Sequence, residues 1–336
     1  MSARSRSDAS VCVIGNLNVD LIMRGLDELP LWGQEVSATG RVEVSSGQAG
    51  YLAMALARLG VSVAVVGNVG ADESGARLLV DLSQAGAWTD DVERSVTAAT
   101  GLSVALVRCD GERAFVSEFG CLREFDEAMV RRHASAFARA RIVCFVGVFN
   151  LPSFGLGATT RLAAEARERG QVVMVDTGWD PHGWRPATIE AARVLFAVTD
   201  LLLVNDAESR ALTGLAEVRE AAAVLADWGA ATVVIKCGSR GAHGRDARAV
   251  CDVPAMPTTV HDTVGAGDTF NAGLLMGCLE GRDIGESIAL GNAAAGLYCS
   301  REHTRFPLPD EVRNIAHTLL ATACASADDQ VKSEGV

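Results

Sequence analysis

The sequence predicts a doubly wound α/β fold, a mostly parallel sheet flanked by helices, with a small β-sheet lid. Three observations carry that prediction. Short apolar runs recur along the chain: "VCVIG", "VSVAVVG", "RIVCFVG", "QVVMVD", "DLLLVN" and "ATVVIKC". Each is continuous rather than alternating, which is the pattern of strands covered on both faces. Between them, sets such as Leu52, Ala55, Leu56 and Leu59, or Leu162, Ala163 and Ala166, keep the three- and four-residue spacing of one helical face. Strands alternating with helices in this way build a parallel sheet with helices on its faces. Two stretches depart from the rhythm and read as strands with alternating faces: 35–47, "EVSATGRVEVSSG", and 101–120, "GLSVALVRCDGERAFVSEFG". The second turns at Asp110 and Gly111, a favoured two-residue hairpin pair.

In chain order, residues 1–9 are polar and read as a disordered tail, and the first strand follows at 11–15 and runs into "GNLNVDLI" (15–22). The first alternating stretch leads to "SSGQAGYLAMALARLG" (45–60), which opens on glycines and continues with helical spacing. The two alternating stretches together make a lid over the carboxyl ends of the main strands, where ligands of open α/β sheets bind. From about Ala266, the apolar residues Phe270, Leu274, Leu275, Cys278 and Leu279 mark a helix, and Ala272, Gly273 and Gly277 allow close packing against a neighbour. The polar end, about 325–336, reads as a second disordered tail, leaving one domain over 10–324.

With 336 residues, 49% of them hydrophobic, the chain is long enough to bury a large core. Its formal charge of -12 repels phosphate backbones and anionic lipid, so no nucleic acid or membrane partner is expected. Nine cysteines are scattered without a C-x-x-C spacing, as expected of small buried hydrophobes in a reducing cytoplasm. The apolar run after the arginine-bearing start is too brief for a signal-peptide core, so a soluble cytoplasmic protein is expected.

The chemistry concentrates in "HDTVGAGDTF" (261–270). Gly265 and Gly267 let the backbone turn tightly and approach a ligand without a side chain in the way. The free amides and dipole of the following helix make an anion site, and Asp268 falls in that first turn. Two readings fit these residues. Asp268 is a helix-capping group beside a glycine turn, or the Gly265, Ala266 and Gly267 amides hold a phosphoryl group while Asp268 accepts the proton of an attacking alcohol. In the second reading the dipole keeps the carboxylate ionised, as a base requires. Phosphoryl transfer asks a protein mainly for positioning and charge stabilisation.

"DTVGAGDTFNAGLL" resembles the C-terminal signature of the ribokinase-like (PfkB) family of carbohydrate and nucleoside kinases, D-T-x-G-A-G-D-x-F. The resemblance implies an ATP-dependent kinase with Asp268 as base, and it extends in order along nearly the whole chain. It implies that Asn18 and Asp20 bond sugar hydroxyls, a suitable pairing because a carboxylate accepts from vicinal hydroxyls while an amide donates and accepts. Residues 45–60 are similar to the family's G-G-x-x-x-N signature, placing Gly47, Gln48 and Tyr51 toward the substrate. Here, however, Ser46 replaces the first glycine and Tyr51 the asparagine. "GADESG" (70–75) matches a G-x-D-x-x-G that we take as structural, and Asn150 falls where some members carry an acidic substrate ligand.

"NDAE" (205–208) is the N-x-x-E motif, by which Asn205 and Glu208 would organise Mg2+, partly through water, and the triphosphate. As a bare pattern it is also a helix cap with an acidic first turn. The resemblance further implies ATP contacts from Lys236, Gly238, Gly265 and Gly267, and from Asn292 along the adenine. Many members bind K+ near the position of Asp262 and a glycine-containing loop, where this chain has His303. Lid strands that pair between subunits imply a homodimer. The acceptor stays open between a sugar or sugar derivative and a nucleoside, whose base Tyr51, Phe119, Phe149 or Trp179 would stack on. A ligand-binding protein without turnover is the reading from another class. No P-loop, protein-kinase motif set, H-E-x-x-H or strand-linked G-x-G-x-x-G competes with these readings.

Overall fold

In the computed structural model, residues 9–110, 113–301 and 305–333 are described, with side chains as far as 321. The chain opens with β1 (Val11–Gly15), β2 (Asn18–Leu26), β3 (Gly40–Ser46), α1 (Gln48–Arg58), β4 (Val63–Gly70), α2 (Glu73–Ala85) and β5 (Val92–Ser95). It continues through β6 (Gly101–Arg108), β7 (Arg113–Glu118), α3 (Glu127–Arg132), α4 (Ala134–Arg139), β8 (Ile142–Val146), α5 (Gly155–Glu168) and β9 (Val172–Asp176). The last part comprises α6 (Pro186–Phe196), β10 (Leu201–Asn205), α7 (Asp206–Thr213), α8 (Val218–Asp227), β11 (Thr232–Lys236), β12 (Ala242–Arg245) and β13 (Val250–Val253). It closes with α9 (Ala266–Leu279), α10 (Ile284–Cys299) and α11 (Pro309–Ser333).

Nine strands form one sheet in the order β13-β12-β11-β10-β9-β8-β1-β4-β5. Only β12 and β13 run antiparallel to their neighbours. The strands are legible as unbroken apolar runs because both faces are covered. Along β1, Val11 and Val13 pack into one core with α1, α9 and α10, while Cys12 and Ile14 pack into a second core with α5, α6 and α8. Alternate residues therefore serve opposite layers. Each fully buried aliphatic side chain contributes roughly 1.5–3 kcal/mol. The chain leaves β1 for β4 and β5 on one side and later for β8 and β9 on the other, so the strand order reverses between β1 and β8. Such a switch opens a crevice at the strands' carboxyl ends.

The small separate sheet has four strands in the order β3-β2-β6-β7. Its β6 and β7 pair antiparallel as expected, from Leu102 opposite Glu118 to Val107 opposite Arg113, while the Gly111 half of the turn lies outside the described residues. Two expectations need correction. The strand expected over 35–47 begins only at Gly40, and one of the lid's two central strands is β2, in a stretch that the sequence reads as a continuation of the first strand of the main sheet. The tail expected to be disordered from 325 continues as helix to Ser333, and the one at the start falls mostly outside the described residues. No helix among the described residues is long and apolar enough to cross a membrane.

Candidate active site

A cavity of about 380 Å³ lies where the lid faces the carboxyl ends of the main sheet. The sheet delivers Asn16 just past β1, Asn150 past β8, Asp176 at the end of β9, Asn205 at the end of β10 and Lys236 at the end of β11. The lid delivers Asn18 and Asp20 from β2, Ser103 from β6, and Phe115 and Ser117 from β7. Gly47, Gln48 and Tyr51 come from the start of α1, and Gly265, Gly267 and Asp268 from the start of α9.

At the floor, Asp176 is buried and accepts from Lys236 Nζ at 2.6 Å and from Asn271 Nδ2 at 2.7 Å. Lys236 also donates to Asn271 Oδ1 at 3.2 Å. Burial alone would drive both groups toward neutrality. Their pairing wins, holding Asp176 below the usual carboxylate range and Lys236 above the usual amine range. Gln48 Nε2 reaches Asp176 at 3.3 Å and tethers the start of α1 to this cluster.

Asn205 and Glu208 form a reciprocal capping box on α7. The Asn205 side chain accepts from the Glu208 amide and the Glu208 carboxylate accepts from the Asn205 amide, both at 2.8 Å. Burial, with the nearby charge of Asp176, pushes the Glu208 carboxyl up to about 7. The helix-cap reading of N-x-x-E is thus realised in the geometry, and the same carboxylate also lines the cavity.

Gly265 caps α9 in the left-handed conformation, with φ 81°. A Cβ added there would stand 2.8 Å from the Tyr51 ring, so glycine is required by both backbone and neighbour. Position in the first turn leaves the Gly267 and Asp268 amides without intrahelical acceptors. The Ala266 amide donates to the Thr263 carbonyl at 3.2 Å and is engaged in the turn. The Asp268 side chain is buried beside these amides. Burial, then the charge of Asp176, pushes its carboxyl well above the usual range, in the direction opposite to the pull of the helix dipole. Desolvation and a second carboxylate outweigh a partial charge.

On the acceptor side, a chain of amides ends on a carboxylate. Asn16 Nδ2 donates to Asn18 Oδ1 at 2.8 Å, and Asn18 Nδ2 donates to Asp20 Oδ1 at 3.0 Å and to Ser46 Oγ at 2.9 Å. The unexpected Ser46 is fully buried and its hydroxyl donates to the Asn18 carbonyl at 2.9 Å, so it fixes Asn18. Gly47 has φ 86°, and an added Cβ would collide with the Asn16 carbonyl oxygen. Tyr51 is buried with its hydroxyl lacking a partner.

Several expected residues sit elsewhere. Asn292 is buried and donates to the carbonyls of Val253 at 2.9 Å and Pro254 at 3.1 Å, outside the cavity lining. Gly238 follows β11 with open space around it and does not line the cavity either. Among the aromatics, Trp179 lines the cavity and is 53% exposed, whereas Phe149 packs edge-on against Trp184 at 5.2 Å. Phe119 is outside the lining. Asp262 is paired with the Arg24 guanidinium, and its other carboxylate oxygen accepts from the Val264 amide at 2.7 Å. A K+ ion there would compete with a cation already in place, so the residues do not fit one, and His303 lies outside the described residues.

Sequence reasoning missed Asp176, Asn16, Ser103, Phe115 and Ser117 as cavity residues. Asp176 left a signal, a carboxylate closing an otherwise apolar strand. The lid residues left none, because alternation shows which residues share a face and not what that face meets.

For a divalent cation the fit is good. Asp20, Asp176, Glu208 and Asp268 meet only the charge of Lys236 among the residues lining the cavity, and burial, then the charge of Asp176, raises Glu208 and Asp268. No cluster of three metal-ligating side chains occurs among the described residues. A hard cation bridging phosphates keeps several waters and takes few protein oxygens.

The model of the pfkB family carbohydrate kinases matches residues 8–311. An uncharacterized sugar kinase of Archaeoglobus fulgidus is 32% identical over 261 residues, 77% of this chain and all of the relative. A ribokinase of Haemophilus influenzae is 26% identical over 309 residues, 89% of this chain and 95% of the relative. A nucleoside kinase of Methanothermobacter thermautotrophicus is 27% identical over 308 residues, 90% and 93% of the two chains. Among solved structures, Arabidopsis thaliana ribokinase complexed with ribose and ATP superposes with a TM-score of 0.79 at 23% identity, covering 92% of this chain and 99% of that one. A putative ribokinase II from E. coli in complex with ATP and Mg2+ gives 0.79 at 20% identity over 92% and 99%.

Proposed function

The chain belongs to the PfkB family of carbohydrate kinases and is an ATP-dependent kinase, and from that premise we propose that it phosphorylates a hydroxymethyl group of an uncharged sugar or sugar derivative. One observation carries the reading. The Asp268 carboxylate lies in the first turn of α9, beside the Gly265 and Gly267 backbone, in the same cavity as Asn18 and Asp20.

Asn18 and Asp20 hold acceptor hydroxyls so that a third hydroxyl meets Asp268. The first-turn amides receive the charge that builds on the transferred phosphoryl group, and Asp268 takes the alcohol proton. A carboxyl raised by burial is a stronger base than one in water once deprotonated, and the approach of a cationic group lowers the cost of that deprotonation. Asn205 and Glu208 are the residues that would hold Mg2+, partly through water, and Mg2+ supplies charge neutralisation between the phosphates. Lys236 is spoken for by Asp176 and supports the floor beneath the phosphates. Among the described cavity residues it is also the only basic one, which disfavours acceptors bearing a carboxylate or phosphate.

Phe115 and Trp179, each about half exposed on the cavity wall, favour a second reading in which the acceptor is a nucleoside whose base stacks there. A panel of neutral sugars, sugar acids, sugar phosphates and nucleosides, scored by ATP consumption, separates the two. ATP binding without turnover across the whole panel would instead indicate a ligand-binding protein. With the acceptor in hand, Asp268→Asn should lower kcat about 100- to 10,000-fold with little change in ATP affinity. A variant within a few fold of wild type would remove Asp268 as base. We further propose a cytoplasmic homodimer joined through the lid, a state that sedimentation at micromolar concentration tests.

A further inference from the structure

We propose that Arg24 is a positioning residue for phosphoryl transfer. Delivered by lid strand β2, its guanidinium holds Asp262 and with it the Thr263–Gly267 turn, and supplies there the positive charge that would otherwise call for a monovalent cation. This rests on the kinase reading of the Asp268 site.

The period of two along β2 places Asn18, Asp20, Ile22 and Arg24 on one face. The first two line the acceptor cavity, Ile22 anchors in the core, and Arg24 is next along. Directly after Arg24 the pairing of β2 with β6 shifts register, and Gly25 takes φ +70°. An added Cβ at Gly25 would collide with the Thr39 side chain, whose backbone amide and hydroxyl both donate to the Arg24 carbonyl, at 2.8 and 3.2 Å. Such a bulge fixes the direction of the side chain beside it. The guanidinium meets one Asp262 oxygen while the Val264 amide, at 2.7 Å, takes the other. The Asp262 side chain is 12% exposed and the Arg24 side chain 35%, with Arg24 Nε buried without an acceptor, so the pair is partly withdrawn from water.

On the residue next to Asp262, the Thr263 carbonyl receives the Ala266 amide, and Gly265 opens α9. The other end of the loop is tied to α10 by the His261 amide on the Cys299 carbonyl at 2.8 Å. A displacement of β2 is therefore transmitted toward the anion-holding amides through the Arg24–Asp262 pair, and the strand that would grip the acceptor through Asp20 also bears on the turn that would receive the phosphoryl group.

The test measures binding of the fluorescent analogue trinitrophenyl-ATP with Mg2+ to the full chain, in choline chloride and in potassium chloride, together with turnover of whichever acceptor the panel identifies. Wild type should show affinities equal within about twofold in the two salts. Arg24→Gln should weaken nucleotide binding or kcat on the order of tenfold in choline. Potassium or guanidinium ions should restore much of that loss by taking the guanidinium's place beside Asp262, and Arg24→Lys should lose less. Wild-type binding that needs potassium overturns the proposal. So does an Arg24→Gln protein indistinguishable from wild type, or one whose loss neither cation nor Arg24→Lys repairs, since that pattern marks a merely structural lid residue. Wild-type protein that binds no nucleotide in either salt overturns the kinase reading instead. Asp262→Asn gives an independent check: it should show the same loss without rescue by either cation.

Discussion

The two walls of the cavity are built differently. The wall on the main sheet is over-determined: Asp176, Lys236 and Asn271 hold one another, Asn205 and Glu208 cap one another, and Gly265 rests on the Tyr51 ring. On the opposite wall, a run of amides leads to Asp20, and the aromatic surfaces of Phe115, from the lid, and Trp179, from the loop after β9, flank it half exposed. The contrast matches what each wall would handle under the proposed function. A triphosphate is the same in every turnover and rewards rigid placement, whereas the acceptor wall need only present hydroxyl partners and a flat apolar surface.

The sharpest way to break the contrast is Asp176→Ala. It leaves the buried Lys236 ammonium with only Asn271, and we expect a loss of about 3–5 kcal/mol in folding free energy by denaturant titration. A loss below about 1 kcal/mol would mean that the pair does not organise the floor. Gly265→Ala comes next. Left-handed backbone costs a non-glycine residue roughly 1–2 kcal/mol and the Tyr51 contact adds to it, so the change should shrink in a Tyr51→Leu background. Equal losses in both backgrounds would sever the ring from the turn.

The third test is pH. Glu208 is raised in the folded protein, to about 7, so its contribution to stability is full below its unfolded value near 4.5 and is lost as pH rises through about 7. Glu208→Gln keeps an acceptor for the Asn205 amide and should flatten that slope, worth on the order of 1–3 kcal/mol between the two limits. An unchanged slope would assign the titration to another group. The smallest effect belongs to the exposed aromatic in the loop after β9: Trp179→Ala should raise KM for the acceptor by up to about tenfold at nearly constant kcat, with melting temperature preserved. A fall in kcat alone would place Trp179 with the chemistry.

The same contrast decided what could be read from the sequence. Buried parallel strands announce themselves as apolar runs, and β1, β8, β9, β10 and β11 coincide with five of the runs that carried the prediction. The turn and helix start at Gly265 to Asp268 are local and were legible from "GAGD". Strand β2 was hidden because it follows β1 after two residues and begins with the polar Asn18. The pairing of Lys236 with Asp176 bridges 60 positions, and that of Arg24 with Asp262 bridges 238. Neither follows from local pattern, since each depends on which strand lies beside which. Asp262 was legible as a carboxylate near the turn, but the cation it holds came from a bulge that only the folded lid reveals.

The lid's mode of attachment bears on how such a protein diversifies. Its strands join the main body through four short segments of chain, and within the core beneath they anchor few side chains, chiefly Ile22, Val44 and Ala105. An acceptor wall fastened this lightly is a transplantable module: strands β6 and β7 carry Ser103, Phe115 and Ser117 into the cavity, yet an exchange of their outward and cavity-facing residues leaves both cores of the main sheet as they were. New acceptors can be sampled there by mutation while the machinery that handles the triphosphate stays constant.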